Sequence, residues 1–73
     1  MTPDQLRQAL KELQGKRAAT FVFADVPEPS TTLTVNSAML VPDEPDHLVK
    51  LTDGQSIFII DADRIAYIRL GLT

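Results

Sequence analysis

Leu48-Val49-Lys50-Leu51-Thr52-Asp53-Gly54-Gln55-Ser56-Ile57-Phe58-Ile59-Ile60-Asp61-Ala62-Asp63-Arg64-Ile65-Ala66-Tyr67-Ile68-Arg69-Leu70 holds three apolar, β-branched runs separated by two short polar breaks. Runs of four to eight such residues bounded by Asp, Gly and Ser read as strands. Asp53-Gly54 is the strongest hairpin signal in the chain, because a tight two-residue turn needs positive φ at both central positions and this pair tolerates it. A two-residue loop there sets Thr52 opposite Gln55, Lys50 opposite Ile57, Val49 opposite Phe58, Leu48 opposite Ile59 and His47 opposite Ile60. Asp61-Ala62-Asp63 then turns the chain into a last strand. The stretch therefore predicts strands over His47–Thr52, Gln55–Ile60 and Ile65–Leu70, joined antiparallel.

Upstream, the same period of two continues. Ala18–Val26 and Thr32–Val41 complete a set of five strands. Ala19, Phe21 and Phe23 share one face of the first, with Thr20, Val22 and Ala24 on the other. In the second, Leu33, Val35, Met39 and Val41 alternate with Thr34, Asn36 and Ala38 until Leu40 breaks the pattern, which suggests a bulge there. Pro27-Glu28-Pro29-Ser30 and Pro42-Asp43-Glu44-Pro45-Asp46 read as exposed acidic loops.

Only the N-terminal segment has a helical period. Thr2 with Gln5 three residues later forms a capping box, Pro3 suits the first turn, and Asp4 sits at the positive end of the dipole. Leu6, Leu10 and Leu13, with Ala9 at i+3, make one narrow apolar stripe. Gly15 reads as a left-handed stop, with Lys11, Lys16 and Arg17 favouring the negative end. The expected architecture is one domain over residues 1–73. It has a helix at about 3–14 and a β unit at about 18–70, folded as a strongly bent five-stranded antiparallel sheet or small barrel of the α+β, mainly β class.

Composition narrows the function classes. The chain has no Cys and a single His, His47, which leaves no thiolate metal site and no Cys nucleophile. Asp61 and Asp63 are too few for a cation cage and read as turn residues accepting backbone N–H bonds. Ser30, Ser37 and Ser56 have no His in an activating pattern. No catalytic residue, metal or cofactor is expected, and the chain does not read as an enzyme. Ten acidic against seven basic residues give a net charge of −3, which disfavours a phosphate-backbone binder, DNA included. No apolar run approaches the roughly 18 residues of a membrane span and no signal peptide is read at the start, so a cytoplasmic protein is expected.

Two groups of residues stand out as contact candidates. Lys11, Lys16 and Arg17, together with Lys50, Arg64, Tyr67 and Arg69, are candidates for touching RNA or a protein partner, Arg69 sharing a face with Tyr67. Ile57, Ile59, Ile68 and Leu70 are candidates for an oligomer interface, since two strands show apolar residues on both faces. A domain this short, without disulfide or metal, gains stability by burying that surface against another copy.

The succession of one helix and five strands in about 70 residues resembles the Sm-like family of Sm, LSm and Hfq-type proteins. Its most specific stretch is Ile57-Phe58-Ile59-Ile60-Asp61-Ala62-Asp63-Arg64-Ile65-Ala66-Tyr67-Ile68, similar to the family's second motif of apolar strand, tight polar turn and short strand ending Ile-x-x-Ile. The resemblance implies a small oligomeric barrel. The family carries RNA-contacting groups at that turn; this chain has Asp61-Ala62-Asp63 there, and carboxylates repel phosphate. A homo-oligomeric scaffold pairing through strand edges is the first expectation, with an RNA-binding protein or an accessory subunit of a hetero-complex as the alternatives.

Overall fold

The helix begins where its capping residues put it. Thr2 Oγ1 accepts a hydrogen bond from the Gln5 amide at 3.1 Å, the Gln5 side chain accepts one from the Thr2 amide at 3.1 Å, and Pro3 opens the first turn. In the computed structural model, which describes residues 1–27 and 31–72, α1 spans Pro3–Leu10. It is shorter than the expected 3–14. After Lys11 the chain turns, the Leu13 amide donating to the Leu10 carbonyl at 3.0 Å, and Leu13 still reaches the core. Extending an eight-residue helix by one turn gains little in water. Starting the sheet early gains a long ladder instead, so Gly15 is not a helix stop. It lies inside the first strand with φ +82°.

Five strands follow: β1 (Gln14–Phe23), β2 (Thr32–Leu40), β3 (Val49–Thr52), β4 (Ile57–Ile60) and β5 (Ile65–Leu70). Their order across the sheet is β4-β3-β2-β1-β5, every neighbouring pair antiparallel. The sheet is not closed, so β4 and β5 are its two edges. One helix and an open antiparallel sheet make this a small α+β domain.

Four local readings change. First, β1 runs over 14–23 rather than 18–26, because Ala24 and Asp25 turn, Asp25 at φ +60°, and the Ala24 amide donates to the Arg64 carbonyl at 2.7 Å. Second, the break in β2 falls at Ser37, at φ +49°, instead of Leu40. Val35 and Ala38 are both buried across that bulge, which drives Met39 outward. Third, β3 starts at Val49, since His47 (φ +57°) closes a turn by donating its amide to the Glu44 carbonyl at 2.8 Å.

The fourth change is in the hairpin. Asp53-Gly54-Gln55-Ser56 is a four-residue loop, so Thr52 lies opposite Ile57, Lys50 opposite Ile59 and Val49 opposite Ile60, two places from the expected register. Asp53 Oδ1 explains the longer loop. It accepts from the Gln55 and Ser56 amides at 2.9 and 2.8 Å, while Thr52 Oγ1 accepts from the Gly54 amide and donates to the Ser56 carbonyl. A slip of two keeps every side chain on its expected face. The expected acidic loop over 27–30 lies, from residue 28 on, outside the described residues.

The core sits between α1 and one sheet face. Leu6, Leu10, Phe21 and Leu51 are fully buried, with Val35 nearly so. Phe21 and Phe23 stack at 6.5 Å between ring centroids. Asp61 caps the 3₁₀ turn Ala62–Arg64 by accepting from the Asp63 amide at 3.1 Å, the structural role expected of that aspartate.

Candidate interaction surfaces

The register brings the apolar residues of the outer sheet face together. Phe58 and Ile60 of β4 turn inward beside Leu51 and Val49. Ile57 and Ile59 therefore turn outward, 63% and 60% exposed. In the next strands Ile57 aligns with Thr52 and Thr52 with Met39, which is 47% exposed. Met39 is a member that sequence alternation misplaced, since only the bulge at Ser37 turns it outward. Ile68 and Leu70, the other two interface candidates, are half-buried against the core.

Lys50 stands beside Ile59 on this face and is held by two carboxylates. Its Nζ donates to Glu44 Oε1 at 2.7 Å and Asp46 Oδ2 at 2.8 Å. The bond that Lys50 donates to Asp46 first, then that to Glu44, raises the Lys50 pKa, and the same Lys50 bond, followed by the one from the Leu48 amide, lowers that of Asp46. A lysine so neutralised offers little to a phosphate.

At the other edge, Val22 lies opposite Tyr67 and Thr32, and Thr20 opposite Arg69 and Thr34. Tyr67 and Arg69 thus share an exposed face floored by threonines, the Thr20 and Thr34 hydroxyls 3.2 Å apart. Arg64 is separate, its Nε 3.5 Å from Asp61.

The two ends of α1 carry opposite charge. At its C-terminal end Lys11, Glu12, Gln14, Lys16 and Arg17 line a depression of about 480 Å³, so three of the basic candidates share one site. Arg17 pairs with Glu12 at 3.6 Å. Pro3, Asp4, Arg7, Asp43 and His47 line a depression of about 440 Å³ at the N-terminal end. Arg7 is its hub. Nη2 donates to the His47 and Leu48 carbonyls at 2.7 and 3.1 Å and meets Asp43 at 3.1 Å; Nη1 lies 3.6 Å from Asp4. Sequence reading missed Arg7 because, Asp4 apart, its partners Asp43, His47 and Leu48 lie some forty residues away and no local spacing announces them.

Among the described residues no group of three or more His, Cys, Asp or Glu is placed to hold a metal ion, and no helix is long and apolar enough to cross a membrane. What fold and surfaces define is a small α+β domain with one apolar sheet edge and a charge-divided helix. Comparison of the chain with family models, with curated proteins and with solved structures gives no match.

Proposed function

We propose that this chain is a self-assembling interaction module, Sm-like in build, whose copies join through strand edges. The observation that carries the reading is β4: an edge strand without a charged residue or proline, with Ile57 and Ile59 both exposed. Edges of monomeric proteins are ordinarily guarded by charge, proline or cover, and an unguarded apolar edge is a template for another strand. Pairing it removes unpaired backbone groups and apolar surface from water together. The helix followed by five antiparallel strands, with a tight polar turn before the last, supports the Sm-like part of the reading.

Sedimentation velocity over a range of concentrations tests it. A discrete oligomer is expected for the natural chain. Ile59→Lys, an exposed change that leaves the core untouched, is expected to weaken association at least about tenfold. A natural chain that sediments as a monomer at every concentration sinks the proposal.

A second reading is favoured by the clustering of Lys11, Lys16 and Arg17 around one depression: RNA contact at that site. Retention of oligouridylate that falls steeply between two salt concentrations supports it, because phosphate contacts release counterions.

A further inference from the structure

Asp53 is the one aspartate in the chain that glycine follows, and the pair opens the four-residue loop between β3 and β4. Residue 54 has no Cβ to shield its peptide nitrogen from the preceding carboxyl, and a Cβ built there would meet no atom within 4 Å. The Gly54 nitrogen and Asp53 Cγ are thus a nucleophile and an electrophile on a short tether, in a loop open to water. Their reaction is an internal exchange of bonds. The nitrogen, its proton lost, bonds to Asp53 Cγ, a carboxyl oxygen leaves as water, and a five-membered imide closes. Water that adds at Cγ restores aspartate. Water that adds at the α-carbonyl breaks that carbon's bond to nitrogen and leaves isoaspartate, whose backbone runs through Cβ and Cγ. The water lost is regained, no co-reactant is used and the mass is unchanged.

In the folded loop both reacting groups are engaged elsewhere. Thr52 Oγ1 donates its proton to the Ser56 carbonyl at 2.8 Å, so toward Gly54 it only accepts, and it takes the Gly54 N–H at 3.0 Å. An acceptor in that place favours the protonated amide and offers nothing to the nitrogen once its proton is gone. Asp53 Oδ1 is turned forward, to the Gln55 and Ser56 amides at 2.9 and 2.8 Å. Those bonds, that from Gln55 first, hold the carboxyl below its ordinary value of 3.8, so the un-ionised acid, the form that loses water, is scarcer at neutral pH.

From this we infer that Asp53–Gly54 is a site of isoaspartate formation kept closed by the Thr52 hydroxyl, and that its product is a substrate for methyltransferases that esterify isoaspartyl carboxylates. Isomerisation adds one backbone carbon between Thr52 and Ile57, which face each other across the hairpin, and removes the acceptor of the Gln55 and Ser56 amides. The β3–β4 ladder then loosens from its turn. No association between copies enters into this chemistry.

The full chain, natural and variant, is incubated at neutral pH and then unfolded. An isoaspartyl methyltransferase with labelled S-adenosylmethionine counts the product, and fragmentation of the digested peptide places it at residue 53. The folded natural chain is expected to accumulate isoaspartate at least about tenfold more slowly than the same chain held unfolded in urea. Thr52→Val keeps the β-branch and removes only the hydroxyl; it is expected to accelerate the reaction roughly five- to tenfold, the worth of one hydrogen bond. Thr52→Ser restores the natural rate, and Thr34→Val, which removes a hydroxyl on β2, leaves it unchanged. Circular dichroism confirms that each variant is folded. If Thr52→Val is not, deuterium exchange of the Gly54 amide in the natural chain decides: slowed exchange supports the inference and exchange at the unfolded rate overturns it. Isoaspartate that forms as fast in the folded natural chain as in urea also overturns it. So does a folded Thr52→Val chain that reacts no faster than the natural one, or a Thr52→Ser chain that reacts as fast as Thr52→Val.

Discussion

Lys50 shows how much a single side chain organises here. It lies beside Ile59 on the outer face and gathers Glu44 and Asp46 from the preceding loop, fixing that loop against the sheet. The pH consequence follows from the direction of each shift. Asp46 titrates below its ordinary value near 3.8 because of Lys50 and then the Leu48 amide, and Asp53 does so because of the Gln55 and then the Ser56 amides. Their contribution to stability is complete above that ordinary value and is lost as pH falls through the lowered, folded-state values. Lys50 titrates above 10.5, so its contribution holds below that value and is lost as pH rises through the raised one. Thermal melts should therefore show a plateau across neutral pH, with stability falling on both flanks. Asp46→Asn should blunt the acid flank and lower the melting temperature by at most about a few degrees, since exposed pairs contribute little and Glu44 still holds Lys50.

Elements obey local chemistry where that chemistry is complete and depart from it where a distant partner intervenes. The capping box placed the start of α1, and Ile65–Leu70 is a strand with the bounds its β-branched run suggests. The end of α1 was not legible, because the ladder of Gln14 with Met39 decides it and that partner is remote in sequence. The hairpin was placed correctly but its loop length was not: Asp53 stabilises a wider turn through its side chain, a contest between two turn types that Asp-Gly alone does not settle. Of the contact candidates, the grouping of Lys11, Lys16 and Arg17 was readable from their nearness in the chain, whereas Met39 and Arg7 depend on a bulge and a long-range contact. The bulged start of β1 carries its own prediction. Gly15 has φ +82°, and an added Cβ would also come 3.3 Å from the Met39 methyl, so Gly15→Ala should cost about 1–2 kcal/mol by chemical denaturation. A stability equal to the natural chain's would mean that the bulge relaxes into regular strand.

At the scale of the molecule, the sheet is asymmetric in what protects it. β1 pairs with β2 from Gln14 to Val22 and with β5 from Ala19 to Phe23, and Ala19 and Phe21, flanked on both sides, are fully buried. β4 has one neighbour. Hydrogen exchange should find the Ala19 and Phe21 amides among the slowest. The β4 amides that point away from β3 should exchange fastest within the sheet, slowing as protein concentration rises if edges pair. Uniform protection across β1 and β4 at all concentrations would contradict this.

The central position of β1 also bears on how the protein is made. One of its two neighbours is β2, which follows soon after, but the other is β5, which leaves the ribosome only after the acidic loop and the β3–β4 hairpin have emerged. Throughout that interval one edge of the strand that carries the buried Ala19 and Phe21 has no native mate. The nascent polypeptide is thus most prone to stray pairing before residues 65 to 70 appear, and a pause in translation there would prolong its dependence on chaperones.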